Sequence, residues 1–269
     1  MANRIDKAFR KARRENRAAF MPFITAGDPE LDATAAIMVE MSRRGADLIE
    51  LGIPYSDPIA DGKTIQASYV RALSRGLRLG QIFDMLRDVR AACDTAILTM
   101  VSFSIVLRIG PDAYFERAAA AGADGVIIPD LPADEAGRIA RQAGARGLHN
   151  VCLVAPTTPP DRMRRIARLS RGFIYYVSTT GTTGARNTLS ADLSTHVADL
   201  RKVTSKPIAV GFGISNPEHV RAVSGYADGA IVGSAIVRRI HELADLPTPK
   251  LAAQIGDMTA AMAQAAQRA

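Results

Sequence analysis

The chain has 269 residues, 48% of them hydrophobic and none of them tryptophan. That length is near the ~250 residues of one (β/α)8 barrel and the aliphatic content suffices for a core, while no apolar run reaches the ~20 residues of a membrane span. The net charge of +7 is spread over many helical segments rather than interleaved with aromatics, which argues against a nucleic-acid reading and fits a mild field for an anionic metabolite.

The first twenty residues, MANRIDKAFRKARRENRAAF, space Ile5, Phe9 and Ala12 like one face of a helix. Asp6 and Glu15 argue against a transit peptide, so the segment reads as a structural lead-in helix. A strand is expected over residues 20–26, then a helix over 31–44 that Gly45 stops, then a strand over 46–51. Helical material fills 65–92 and leads to a strand over 96–101 and a helix over 112–121. The same beat continues with strand 125–128, helix 134–145, strand 150–154 and helix 160–169. It closes with strand 173–177, helix 190–203, strand 207–210, helix 217–223, strand 229–232 and helices to the end.

Short apolar strands separated by helices imply parallel pairing buried on both faces. The stretches RGADLIELG, AGADGVIIPD and YADGAIVGS echo one another, each passing from a helix end through Ala-Asp into a strand. Eight such units fit a closed (β/α)8 TIM barrel with an extra N-terminal helix, and no compositional break marks a second domain within 1–269. Cys93 and Cys152 lie in apolar surroundings without a disulfide pattern, which points to a reducing cytoplasm. His149, His196, His219 and His241 have no metal-ligand spacing and read as surface or helix-end residues.

In such barrels the chemistry sits at the C-terminal ends of the strands. Glu50 closes the second strand, and Asp61 lies eleven residues on, after a Pro-rich loop able to fold back over the mouth. Two carboxylates in different surroundings can divide acid and base work. The plainer alternative is that Glu50 pairs with a barrel Lys or Arg and that Asp61 caps a helix starting near Thr64. Gly211 to Ser215 follows the seventh strand, and Val232 to Ala235 follows the eighth and opens a helix. Glycines and a helix N-terminus at that pair of loops suit a phosphate, although two ordinary turns would look similar. Ser178 to Asn187, STTGTTGARN, is small, polar and Gly-hinged, as a lid or a plain surface loop would be.

Together these segments resemble the tryptophan synthase alpha chain family over nearly the whole sequence. The matching motifs are MPFITAGDP (21–29), ELGIPYSDPIADGKTIQ (50–66), YYVSTTGTTGAR (175–186), GFGIS (211–215) and VGSAIV (232–237), in the family's order and spacing. The resemblance implies retro-aldol cleavage of indole-3-glycerol phosphate to indole and glyceraldehyde 3-phosphate, without a cofactor or a metal. It also implies work beside a pyridoxal-phosphate beta chain in an alpha2beta2 heterotetramer. It gives Glu50 the role of general acid and base, and Asp61 the role of facing the indole N–H. It gives Phe23, Ile65, Ile127 and Leu153 to the indole pocket and Tyr175 to positioning of Glu50 and substrate. Thr183 belongs near the aspartate loop, and Gly184, Phe212, Gly213, Gly233 and Ser234 hold phosphate. Pro54 and Asp57 turn toward the partner.

The sequence departs from the family at three places. Tyr55 stands where Phe is frequent, Lys63 where Pro is usual, and Ser102 to Ile105 where Tyr-Tyr-Asn-Pro is expected. The last borders the partner side. A catalytically weak regulatory subunit, or a stand-alone indole-releasing lyase, are therefore the alternatives to a full alpha subunit.

Overall fold

The computed structural model describes residues 3–59, 61–177, 192–211 and 213–268. In chain order the elements are α1 (Arg4–Arg14), β1 (Ala19–Thr25), α2 (Leu31–Arg43), β2 (Leu48–Gly52), α3 (Lys63–Ser74) and α4 (Leu79–Ala92). Then come β3 (Ala96–Met100), α5 (Phe103–Ile109), α6 (Pro111–Ala120), β4 (Gly125–Ile127), α7 (Ala136–Ala145), β5 (His149–Val154) and α8 (Pro160–Leu169). The chain ends with β6 (Ile174–Val177), α9 (Leu193–Arg201), β7 (Ile208–Gly211), α10 (Pro217–Ser224), β8 (Gly229–Val232), α11 (Ser234–Glu242) and α12 (Thr248–Ala265). The eight strands pair in parallel and in sequence order, and β8 returns to β1 to close the barrel.

Two regions gain detail beyond the sequence expectation. The helical material expected over 65–92 is two helices, because Gly76 adopts φ +72 just after the α3 C-cap Arg75 and ends the first. The segment carrying the Ser102–Ile105 departure is a helix, α5, whose N-cap Ser102 accepts from the Ser104 backbone N–H.

Strand alternation sorts the side chains into two sets. Phe20, Ile24, Ile49, Leu51, Ile97, Val126, Ile174, Ile208, Val210, Ala230 and Val232 pack outward against the helices. Met21, Phe23, Leu48, Leu98, Met100, Ile127, Val151, Tyr175, Ala209 and Ile231 fill the barrel. The N-terminal helix completes this inner set with Ile5, Phe9 and Ala12, which are buried and amphipathically spaced as the sequence indicates. The Phe9 and Phe173 rings lie 5.2 Å apart, so α1 plugs the barrel's N-terminal end.

The Ala-Asp echo has a structural meaning at the same end. Asp47, Asp124 and Asp228 each precede an even-numbered strand and clasp the strand before it. Their backbone N–H groups donate to the carbonyls of Phe20, Ile97 and Ile208, and those residues' N–H groups donate back to the three carboxylates at 2.9 Å. Arginines occupy the remaining acceptor sites. Arg17 takes Asp47 with both terminal guanidinium nitrogens at 2.5 and 2.8 Å, Arg90 takes Asp124 at 3.0 Å, and Arg201 takes Asp228 at 2.6 Å. His149 opens β5 and bonds Asp6 of α1 at 2.9 Å, so it is a strand residue that holds the plug, not a surface or helix-end one. Among the described residues no helix is long and apolar enough to cross a membrane.

Candidate active site

Glu50 lies two residues before the end of β2, between Phe23 of β1 and Leu98 of β3 in the strand register. Alternation from Leu48 turns it into the barrel, and it is only 2% exposed. Its Oε1 is buried without a hydrogen-bond partner. Among the described residues no Lys or Arg forms an ion pair with it, so the ion-pair alternative for Glu50 does not hold. Burial, and secondarily the charge of Asp61, pushes its pKa up to about 8.

The loop between β2 and α3 brings Asp61 to the same place. Its turns close through Ile59 N–H to Asp57 O and Asp61 N–H to Pro58 O. Gln66 of α3 reaches back to donate to the carbonyls of Pro58 and Asp61 at 3.0 and 2.8 Å, fixing the loop to the helix it leads into. The helix-capping alternative also falls: the α3 N-cap is Gly62, and no side chain caps it. Lys63 is the exposed first residue of α3. Burial pushes the Asp61 pKa up to about 6, helped by the charge of Asp130. Asp130 is held there because its carboxylate accepts from Ser102 Oγ at 2.7 Å and from the Phe103 N–H at 2.8 Å. Asp61 thus ionises first, and its charge then keeps the proton on Glu50. At neutral pH the pair is one carboxylate and one carboxylic acid.

Phe23, Ile65, Ile127 and Tyr175 come together in the inner cluster, with Leu153 packed against it and Tyr55 beside it. Strand-end glycines make the room. A Cβ on Gly52 would lie 2.5 Å from Phe23 Cζ and 2.9 Å from Tyr69 Oη, and one on Gly211 would collide with the Tyr175 phenol. Tyr69 is a site residue that the sequence reading missed. It lies four residues after Ile65 on α3, and that spacing on one helix face is the signal that could have found it. It is 3% exposed, and burial together with the charges of Asp61 and Glu50 holds its proton well above the usual phenol range. Tyr175 is shifted upward for the same reasons, with Glu50 acting before Asp61.

At the mouth, Gly213 follows β7 with φ +79 and open space where a Cβ would be. His219 of α10 supports that turn, its Nδ1–H donating to the Gly213 carbonyl at 3.1 Å. It is 8% exposed and lies in the first turn of α10, a helix-end residue that is buried rather than on the surface. Gly233 is the N-cap of α11, and its carbonyl takes both the Ile236 and Val237 N–H groups. The Ser234 and Ala235 N–H groups at the start of that helix have no carbonyl a turn back. Phe212, Thr183, Gly184 and the 178–187 lid segment lie outside the described residues.

Pro54 is buried and lines a cavity of about 230 Å³ with Ile53, Leu77, Leu79, Ile82 and Ile105. Asp57 is exposed and accepts from Ser56 Oγ at 2.8 Å. Ile59, 86% exposed, and Leu107, 49% exposed, are among the large apolar side chains in solvent.

Comparison with known proteins converges on one family. The family model described as tryptophan synthase alpha chain matches residues 9–267. The tryptophan synthase alpha chain of Gloeobacter violaceus is 47% identical over 236 residues, covering 87% of this chain and 86% of that one. The Prochlorococcus marinus alpha chain is 46% identical over 251 residues, covering 93% and 90%. Among solved structures, a Mycobacterium tuberculosis tryptophan synthase superposes with a TM-score of 0.89 at 34% identity, covering 100% of each chain. The alpha subunit of Legionella pneumophila also gives 0.89, at 33% identity and 98% coverage of both. The acid pair, the glycine-bounded apolar pocket and the whole barrel thus meet in one lineage: the chain belongs to the tryptophan synthase alpha chain family.

Proposed function

We propose that this chain, acting as one barrel domain over residues 1–269 in the cytoplasm, cleaves indole-3-glycerol phosphate to indole and glyceraldehyde 3-phosphate. It does so as the alpha subunit of an alpha2beta2 tryptophan synthase, and it passes indole to the beta chain. The observation that carries this reading is the acid pair at the barrel mouth: a buried Glu50 that keeps its proton beside an Asp61 that loses it.

Protonated Glu50 delivers its proton to C3 of the indole ring. The resulting cationic ring nitrogen, still bearing its N–H, is stabilised by ionised Asp61. Glu50, now a carboxylate, takes the proton from the hydroxyl on the side-chain carbon bonded to C3. The carbon–carbon bond breaks, its electrons restore the indole ring, the aldehyde forms, and Glu50 is again protonated. Proton transfer by a positioned carboxyl contributes about 10²–10⁴-fold in such steps. The indole ring sits among Phe23, Ile65, Ile127 and Leu153, beside Tyr175. The phosphate is held by the backbone at Gly213, Gly233 and Ser234, with Gly184 and Phe212 completing the site and Thr183 beside the aspartate loop. Open space at Gly213 and the α11 N-terminus support that assignment. Pro54, Asp57 and the exposed Ile59 and Leu107 face the beta chain. The cytoplasmic setting is supported by Cys93 and Cys152, both free thiols.

The test is indole release from indole-3-glycerol phosphate by the purified chain, alone and titrated with its cognate beta chain. The chain alone should turn over slowly, and the complex should be faster by about tenfold or more, or roughly 1.4 kcal/mol of transition-state stabilisation. No indole under either condition overturns the lyase reading. A flat rate with the complex formed overturns the coupling.

A further inference from the structure

Glu50 is fixed by its strand, whereas Asp61 sits in the loop between β2 and α3. The division of protons between them depends on where that loop is held. The loop's own backbone bonds, Ile59 N–H to Asp57 O and Asp61 N–H to Pro58 O, shape a turn without anchoring it. The helix that follows has no side-chain cap at Gly62. Among the described residues, the side chain that ties residues 58–61 to α3 is Gln66. Its Nε2 donates to the Pro58 carbonyl at 3.0 Å and to the Asp61 carbonyl at 2.8 Å. Both partners are carbonyl oxygens, so the amide must turn its two N–H groups toward them, and both of its donors are used on this one turn.

Gln66 can serve as an anchor because α3 is seated independently of the loop. Ser68 donates its hydroxyl to the Ile65 carbonyl at 2.7 Å, so the 2.6 Å bond between Ser68 and Thr25, at the end of β1, must be donated by Thr25. Arg71 grips Asp28 of the loop after β1 at 2.9 and 2.6 Å, and the Asp28 side chain is buried. Both ties run to β1 or the loop after it, and β1 pairs with β2 so that Phe23 stands opposite Glu50. A continuous path of bonds therefore spans the two acids. It runs from Glu50 on β2 to β1, then through Thr25 and Asp28 to α3, and through Gln66 to the Asp61 turn. The same helix lends Ile65 to the inner apolar cluster, so the pocket wall and the acid loop share one support.

We propose that Gln66 is a positioning residue for Asp61: its amide staples the 58–61 turn to the seated helix α3 and so holds the Asp61 carboxylate at the barrel mouth, facing the indole N–H. This role rests on the lyase reading above and deepens it with a residue that the motifs quoted earlier leave without one. The amide touches no reacting atom and acts through the burial of Asp61. Burial is the main cause that pushes Asp61 up to about 6, so a turn released from α3 lets water reach the carboxyl and lets it ionise more readily. The titratable groups whose charges couple to Asp61 are Asp130 after β4, Glu50 on β2, Tyr69 on α3 and Tyr175 on β6, and none of them is altered by a change at Gln66.

Gln66→Met keeps the length of the side chain and removes both donors. In the complex with the beta chain it should lower kcat for indole release by about tenfold at pH 7, the scale of one or two ordinary hydrogen bonds. KM should change by less than about twofold, because the cationic ring depends on Asp61 more than the neutral substrate does. The acid limb of the kcat/KM profile should move down from about 6 toward the ordinary 3.8, by roughly one unit, while the alkaline limb of Glu50 stays. Carbon-13 titration of the Asp61 carboxyl in the substrate-free chain should show the same fall. In the unaltered chain the two Gln66 side-chain N–H protons should exchange with water more slowly than those of a solvent-exposed glutamine, a readout that needs no variant. An Asp61 titration unmoved in Gln66→Met, a fall in rate with the acid limb unmoved, or Gln66 protons that exchange freely overturns the proposal. If the unaltered complex releases no indole, the lyase reading fails, and the carbon-13 titration and the proton exchange still decide whether Gln66 holds Asp61.

Discussion

The two ends of this barrel use carboxylates in opposite ways. At the N-terminal end Asp47, Asp124 and Asp228 each accept from a neighbouring strand's N–H and from an arginine. At the C-terminal end Glu50 keeps an orphan oxygen, and it and Asp61 have no cationic partner among the described residues. The Asp47 side chain is 6% exposed and Glu50 is 2% exposed, so depth of burial does not separate the two groups. Partners do. A buried carboxylate with donors on every side secures strand register, whereas one without them is driven to hold a proton and becomes an acid available for transfer.

The largest effect should come from breaking the paired end. Asp47→Ala strips Arg17, only 9% exposed, of a two-point partner and also orphans the Phe20 N–H. Loss of about 3–5 kcal/mol in denaturant unfolding is expected. Indole release per folded molecule should be unchanged, and a large loss in that quantity would mean that the two ends are coupled.

At the unpaired end Glu50→Gln should do the reverse. Indole release should fall by at least about 10²-fold with the fold intact, whereas stability should rise in a pH-dependent way. The folded pKa of Glu50, about 8, lies above its ordinary 4.5. The folded chain thus retains a proton that the unfolded chain releases, and wild-type stability is lost as pH rises from about 4.5 to about 8. Gln does not ionise. Its advantage in thermal melts should be absent near pH 4 and grow to a few kcal/mol by pH 8. Parallel stability curves for the two proteins across that range would refute an unpaired acid.

The smallest effect sharpens the comparison within the paired end. Arg201 and Asp228 are 40% and 30% exposed, and Asp228 keeps its bond from the Ile208 N–H without the arginine. Arg201→Ala should therefore cost under about 1 kcal/mol, as exposed ion pairs do, measured by the same unfolding transition.

Much of this was legible locally. The run from Leu48 to Gly52 shows a strand because of its apolar residues, and Glu50 stands out as the one acid within it. Ile5, Phe9 and Ala12 show a helix by their spacing, and Gly211, Gly213 and Gly233 mark loops that can approach an anion. Local spacing could not show the break at Gly76, because long helices and helix pairs share one periodicity until a single backbone angle separates them. Nor could it show the α5 cap on Asp130, His219 beneath Gly213, or the three arginines that complete the Ala-Asp clasps.

The sequence by itself determined eight strand–helix units, the N-terminal helix and the two acids at the end of the second unit, since periodicity and turn chemistry act over a few residues. The closed barrel decided which acid keeps its proton, which phenols feel the charges of the acids and which carboxylates are silenced by arginine. Those outcomes depend on burial and on charges brought together from Glu50, Asp61, Asp130, Tyr69 and Tyr175, five positions whose separation along the chain gives no sign that they meet.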